Sequence, residues 1–202
     1  MKISSRNASR LRQSLFLLAI VLLPSLAQAH PGHTSSASGA AAGLLHPFSG
    51  LDHLCAMIAV GLWAAQRGGR ALWLVPLTFV SVMALGGILG MNGIQVPLAE
   101  QGVAASVLIL GLLLAAAARL PLAASVVTVG IFAIFHGYAH GAEMPATAAG
   151  LSYGLGFLAA TAALHLVGIG LGLLAQQLGS TRLIRCAGVL IALFSLYLFC
   201  NN

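Results

Sequence analysis

Long apolar stretches recur along almost the whole chain, and few charged residues interrupt them. Of the 202 residues, 59% are hydrophobic and 6% are charged, whereas a soluble globular domain has about 25% charged residues. Such a chain cannot cover a water-exposed surface, so we expect lipid to be its main solvent. The 24 glycines fit helices that pack closely within a bilayer. The sequence therefore predicts an all-α integral membrane protein.

Six apolar segments follow one another after residue 44, and most approach the ~20 residues that a helical span requires. They cover residues 47–66, 71–91, 102–118, 121–140, 147–176 and 183–200. The third is short and the fifth is long, so the sequence does not define their ends sharply, and tilted helices are expected. Residues 44–202 are thus predicted to form one domain, a polytopic bundle of six transmembrane helices.

Residues 1–29 have the pattern of a cleavable signal peptide. A basic start precedes the short apolar run Ser14–Leu23, and Ala27-Gln28-Ala29 gives the small-x-small cleavage pattern. An uncleaved signal anchor is the alternative. Residues 30–43 are small and polar and are predicted to be a flexible periplasmic tail. Cleavage would lower the formal charge from +6 to +2, because four basic residues precede the apolar run.

The arginines of the mature chain predict its topology. All five lie in the gaps that become cytoplasmic if the mature N-terminus is periplasmic: Arg67, Arg70, Arg119, Arg182 and Arg185. The outer gaps contain Glu100 and Glu143 and no lysine or arginine, as the positive-inside rule expects. We therefore predict a bacterial inner-membrane protein with both mature termini periplasmic. The scattered basic residues form no patch for nucleic acid.

The first chemically informative motif is His46-Pro47-Phe48-Ser49-Gly50-Leu51-Asp52-His53. Proline suits the first turn of a helix, which places His46 at the outer mouth of the first segment. In a regular helix His46, His53 and Met57 would share one face. Asp52 is offset from that face and is expected either to bind a metal or to orient a histidine. Met57 is interpreted as packing rather than as a ligand.

The second motif is Phe135-His136-Gly137-Tyr138-Ala139-His140-Gly141-Ala142-Glu143. Its two histidines and its glutamate are spaced i, i+4 and i+7, which puts them on one helical stripe. Gly137 and Gly141 leave room for another helix to approach. The arginine topology brings this motif and the first one to the same membrane face.

Ionisable groups at membrane depth are costly and usually mark an ion path, a relay or a ligand site. The candidate metal ligands are His46, Asp52, His53, His136, His140 and Glu143. Imidazole and carboxylate donors without thiolate suit nickel, cobalt, zinc or copper(II). His165 has no clustered partner and is either a helix-packing residue or a deeper relay group. His30 and His33 are either a solvated tail or a capture arm.

The three cysteines, Cys55, Cys186 and Cys200, have no CxxC spacing and are odd in number. They therefore indicate neither a disulfide framework nor a thiolate zinc site. Small apolar packing is the expected role for each of them.

At its two histidine motifs the chain resembles the HupE/UreJ family of hydrogenase- and urease-associated membrane proteins. That family's patterns His-Pro-x-x-Gly-x-Asp-His and Phe-His-Gly-x-Ala-His-Gly-x-Glu match residues 46–53 and 135–143. The separate nickel/cobalt transporter family has a His-x4-Asp-His signature, from which the His-x5-Asp-His spacing here departs. The resemblance implies a secondary permease for nickel, in some cases cobalt, with an indirect link to the maturation of nickel enzymes.

The expected function is uptake of Ni²⁺ or Co²⁺ from the periplasm, with the metal as cargo and no permanently bound cofactor. The chain is not expected to be an enzyme. An intramembrane zinc hydrolase is the main alternative, since the same residues could activate a zinc-bound water; no HExxH motif supports it. A haem or copper carrier and a passive subunit of a larger complex stay open, and so does a homo-oligomer.

Overall fold

The computed structural model describes residues 39–142, 144 and 150–201. The predicted signal peptide, His30, His33 and Glu143 lie outside the described residues. Within them the chain is all-helical, and its elements in order are α1 (Ala40–Leu45), a 3₁₀ turn (His46–Phe48), α2 (Leu51–Arg67), α3 (Ala71–Met91), α4 (Ala99–Ala115), α5 (Leu122–Ala142), α6 (Gly150–Gln177) and α7 (Thr181–Asn201).

Four of these helices are long and apolar enough to cross a bilayer, namely α3, α5, α6 and α7. A fifth span exists if α1, the 3₁₀ turn and α2 are counted together, and α4 is a shorter apolar helix of 17 residues. The prediction of a helical membrane protein is therefore confirmed. The described residues give four such spans, or five with the bent pair, so the finer prediction of six spans is not shown and stays a prediction.

The first predicted segment is not one straight helix. The axis bends by 86° between the Ala40–Phe48 part and α2. Gly50 has an extended backbone (φ −114°, ψ 121°) and precedes the first residue of α2. Residues 40–43, assigned above to the end of the tail, lie in α1, which packs against α6. His46 and His53 are therefore not on one face of a continuous helix.

Glycines let the helices pair closely. A Cβ atom on Gly137 of α5 would overlap the carbonyl oxygen of Met83 in α3, and one on Gly141 would overlap that of Gly87. Helices α2 and α6 meet in the same way, since a Cβ on Gly61 would overlap the carbonyl oxygen of His165. Such approaches are typical of helices that associate without a hydrophobic driving force between them. The expected approach of another helix to Gly137 and Gly141 is confirmed, and that helix is α3.

Polar side chains connect the helices at one end of the bundle. Trp63 and Gln66 of α2 donate to the carbonyl oxygens of Ala118 and Leu114, at 3.3 Å each. From α7, the Arg185 Nε donates to the carbonyl oxygen of Ala115 at 2.8 Å. These bonds go to carbonyl oxygens at and just beyond the end of α4, where the last carbonyls of a helix lack intrahelical partners. The five arginines of the mature chain all belong to this end, which we call the arginine end.

The side chains that face away from the bundle are apolar. Trp73, Leu77 and Leu85 of α3 are 62%, 61% and 60% exposed, and Leu151 of α6 is 75% exposed. In water such a surface would be an aggregation hazard, but in a bilayer it is the surface that faces lipid. Helix packing and surface chemistry thus agree on a membrane protein.

Candidate metal centre

Three histidine rings meet where the start of α2 faces the last turns of α5. The ring centroid of His53 lies 5.1 Å from that of His136 and 4.3 Å from that of His140. His46, on the 3₁₀ turn, lies 4.8 Å from His140. The fold therefore brings the two motifs together at the end of the bundle opposite the arginine end. We call this end the histidine end and the four rings the imidazole cluster.

His46 reaches the imidazole cluster because of the bend before α2. The short helix α1 packs on α6, where a Cβ atom on Gly43 would overlap the carbonyl oxygen of Tyr153. The ring of His46 lies 5.8 Å from that of Tyr153 and 6.1 Å from that of Phe157. Helix α6 thus supports the turn from behind and holds His46 against His140.

Asp52 orients His53. Its Oδ1 accepts hydrogen bonds from the backbone N–H of His53 at 2.8 Å and from His53 Nδ1 at 2.9 Å. A carboxylate can only accept, so Nδ1 carries the proton in the neutral ring and Nε2 keeps its lone pair. Nε2 is buried, and no hydrogen-bond partner for it exists among the described residues. Histidines that bind metals are oriented by carboxylates in the same way.

Ser106 of α4 orients His136 in the way that Asp52 orients His53. Its hydroxyl oxygen lies 2.6 Å from the carbonyl oxygen of Val103 and 2.7 Å from Nε2 of His136. The carbonyl has no proton to give, so the single hydroxyl proton goes to Val103 and His136 Nε2–H donates to Ser106. The lone pair of His136 is then on Nδ1, which is buried and has no hydrogen-bond partner in the described part of the chain.

The distances between the rings suit a shared metal ion. Imidazoles that bind one ion through nitrogens at ~2.0–2.1 Å place their ring centroids roughly 3 Å from the ion and about 4.5–5.5 Å from each other. The neighbouring rings here are 4.3–5.1 Å apart. Within residues 39–142, 144 and 150–201, however, no group of three or more His, Cys, Asp or Glu side chains is placed so that it could hold a metal ion as it stands. Binding would therefore require the rings to rotate about their side-chain torsions.

A polar cavity of about 500 Å³ opens beside the imidazole cluster, between α2, α4, α5 and α7. Asp52 and His53 line it from α2, and Glu100 and Gln101 line it from α4. Two carboxylates in a concave, low-dielectric wall concentrate cations near it. A second, apolar cavity of about 230 Å³ lies between α3, α5 and α6 and is lined by His140 and Met83 among others.

The candidate residues are now placed as follows. The imidazole cluster contains all four predicted histidines, Asp52 orients one of them, and Glu143 lies outside the described residues. Met57 is wholly buried in the apolar core. Sequence reasoning missed Ser106 and assigned Glu100 to an outer gap. The signal for Ser106 was its position as a lone polar residue within the apolar run Val103–Leu114, which by itself does not say what it contacts.

The fold and the site together define a helical membrane protein with a largely enclosed imidazole cluster at one end of its bundle, in which His136 and His140 are buried and His46 and His53 are half-buried. The family model described as "HupE / UreJ protein" matches residues 18–198. The chain is 49% identical over 176 residues to "Protein HupE" of Rhizobium leguminosarum bv. viciae, which covers 87% of this chain and 91% of that protein. The chain belongs to the HupE/UreJ family. No solved structure matches it.

Proposed function

We propose that the protein is a secondary permease that takes up a divalent transition-metal ion, Ni²⁺ in the first place and Co²⁺ as a further cargo, across the bacterial inner membrane. The observation that carries the proposal is the imidazole cluster. In two of its rings, His53 and His136, hydrogen bonds to Asp52 and Ser106 fix which nitrogen carries the lone pair. Neutral nitrogen donors in this number suit nickel and cobalt and are too soft for Mg²⁺ or Ca²⁺.

The proposed route begins at the polar cavity. Asp52 and Glu100 attract the cation, which then exchanges bound water for the imidazoles of His53, His136, His140 and His46. Glu143 is proposed to contribute a carboxylate to the same site. A coordination shell that forms only when the rings rotate releases its ion more readily than a preformed shell. This suits a transport site, because a transported ion must be released.

The driving force follows from charge. An inside-negative membrane potential favours the inward movement of a dication by roughly 4.6 kcal/mol per 100 mV. This requires the topology predicted from the sequence, in which the histidine end is periplasmic, the arginine end is cytoplasmic and six spans cross the membrane. The position of all five arginines of the mature chain at one end of the bundle supports that topology.

The zinc hydrolase alternative has no supporting observation. In that alternative Asp52 would activate a metal-bound water, whereas its Oδ1 is engaged by the ring and the backbone of His53. Membership of a family of accessory, permease-like proteins also favours transport. The metal delivered inside would serve nickel-enzyme maturation, which is the proposed indirect partner process.

The test is accumulation of ⁶³Ni at trace nickel in cells that express the protein. We expect His53→Ala and His136→Ala each to reduce accumulation at least about tenfold, as loss of a metal ligand does. Leu85→Ala, at a 60% exposed position of α3, is the matched control and should keep normal accumulation. Normal accumulation by both histidine variants, at equal protein levels in the membrane, would overturn the proposal. Excess Co²⁺ should compete with the label.

A further inference from the structure

Four side chains form a buried group deeper in the bundle, between α3 and α6. Phe79 and Met83 are one turn apart on α3, and Thr161 and His165 are one turn apart on α6. The rings of Phe79 and His165 lie 5.2 Å apart, edge to face. The Thr161 hydroxyl lies 3.9 Å from the sulfur of Met83. Helical side chains lean toward the N-terminus of their helix, so the His165 ring leans over the turn that holds Thr161.

His165 is the least satisfied polar residue of this group. Its side chain is 1% exposed, and neither ring nitrogen has a hydrogen-bond partner among the described residues. Leaving a buried polar group without a partner costs about 1–3 kcal/mol. A leucine of similar volume would avoid that cost. The position is therefore poorly explained by packing alone.

The deeper group lies well below the imidazole cluster. Gly61 of α2 packs against the carbonyl oxygen of His165. Gly61 is eight residues beyond His53, which corresponds to about 12 Å along a helix. On α6 the same separation holds between His165 and Phe157, whose ring lies 4.0 Å from that of His140. His165 thus lies toward the middle of the bundle, between the imidazole cluster and the arginine end.

Two features connect the levels. The ring of Phe79 lies 5.6 Å from that of His136 and 5.2 Å from that of His165, so it stands between an upper and a lower imidazole. The apolar cavity is lined by His140 at its upper level and by Met83 at its lower level. An ion that leaves His140 through this cavity would therefore meet Met83 next, and the sulfur of Met83 contacts Thr161, one turn before His165 on α6.

We propose that His165, Met83 and Thr161 form a second, deeper binding station, which receives the transition-metal ion from the imidazole cluster during its passage. This inference rests on the proposed function. The three donors are an imidazole nitrogen, a thioether sulfur and a hydroxyl oxygen, a set that borderline and soft transition metals accept and that hard cations do not. None of them is charged, so the ion is held weakly and leaves readily, as a transit site requires.

The test separates a metal donor from a packing residue by a matched pair of variants in proteoliposomes. His165→Leu removes the donor, and His165→Met restores one in a side chain of similar size. We expect His165→Leu to slow Ni²⁺ transport at least about tenfold, in the range that lost metal contacts show. His165→Met should transport several times faster than His165→Leu. Ile169→Val, one turn farther along α6, is the packing control and should transport normally.

Equilibrium binding of Ni²⁺ to the same purified proteins supplies the second readout. His165→Leu should keep the affinity of the unsubstituted protein within about twofold, because the imidazole cluster is intact, whereas His136→Ala should lose both binding and transport. Met83→Leu, which preserves shape, should also slow transport while binding is kept.

Normal transport by His165→Leu would overturn the second station, and so would equal loss in His165→Leu and His165→Met. A failure of the unsubstituted protein to transport Ni²⁺ would instead overturn the proposed function, so the two failures are distinguishable.

Discussion

The hydroxyl oxygen of Ser106 lies 2.7 Å from Nε2 of His136 and 2.6 Å from the carbonyl oxygen of Val103. A hydroxyl with one proton can satisfy both neighbours only if it donates to the carbonyl and accepts from the imidazole. The serine therefore selects one tautomer of His136. Asp52 selects the opposite tautomer of His53, so the two rings carry their available lone pairs on different nitrogens, Nδ1 of His136 and Nε2 of His53.

Replacing Ser106 by alanine should weaken metal binding while leaving all the proposed ligands in place. Without the hydroxyl, Nε2–H of His136 loses its buried acceptor, and the ring is free to change tautomer or orientation. Loss of such an orienting partner typically weakens metal affinity 10–100-fold, so we expect a Ni²⁺ dissociation constant about 10–100-fold higher. Titration calorimetry of the purified protein in lipid nanodiscs measures this change.

Ser125→Ala is the matched control for that experiment. Ser125 is an equally buried serine whose hydroxyl donates to the carbonyl of Pro121 at the start of α5, far from the imidazole cluster. Its loss should leave Ni²⁺ affinity unchanged. Equal affinity in the Ser106 and Ser125 variants would show that the tautomer of His136 is not fixed by Ser106.

Two substitutions of Asp52 should distinguish its hydrogen bond from its charge. Asparagine keeps an oxygen that accepts from His53 Nδ1, whereas alanine removes both the acceptor and the charge. If orientation of His53 is the main role, Asp52→Ala should weaken Ni²⁺ binding about 10–100-fold and Asp52→Asn clearly less. Calorimetry over a range of ionic strength checks this, because screening diminishes a charge effect but not a tautomer effect. If Asp52→Ala and Asp52→Asn lost the same Ni²⁺ affinity at every salt concentration, the orienting role would be contradicted.

The sequence predicted the helical membrane class and the meeting of the two histidine motifs, because helical periodicity and arginine placement are local properties of the chain. It did not predict the 86° bend before α2, since Pro47 was compatible with the first turn of a straight helix. The sequence also could not predict the contact of Ser106 with His136. That contact joins residues 30 positions apart on different helices, and only the packing of α4 against α5 determines it.

The predicted topology can be tested by cysteine accessibility in a variant whose three native cysteines are replaced. Asn92 follows α3 at the histidine end, and Arg182 lies in the first turn of α7 at the arginine end; both are exposed. In intact cells with a permeabilised outer membrane, an impermeant maleimide should label Asn92→Cys and not Arg182→Cys. Opening the inner membrane should expose both. Labelling of Arg182→Cys in intact cells would contradict a cytoplasmic arginine end and, with it, the direction of the proposed uptake.

The contact between α3 and α5 predicts a stability difference between two Gly→Ala variants. A Cβ atom on Gly137 would overlap the carbonyl oxygen of Met83, whereas one on Gly170 of α6 meets nothing within 4 Å. Overpacking a close contact costs about 1–3 kcal/mol, while alanine within an open helical position is neutral or favourable by up to about 1 kcal/mol. Gly137→Ala should therefore unfold at a lower denaturant fraction in detergent than Gly170→Ala. Because Gly137 is next to His136, the Gly137→Ala substitution should also lower the affinity for Ni²⁺. Equal stability of the two variants would mean that α3 and α5 are not packed backbone to backbone at this level, and the position of His136 beside His53 would then need another cause.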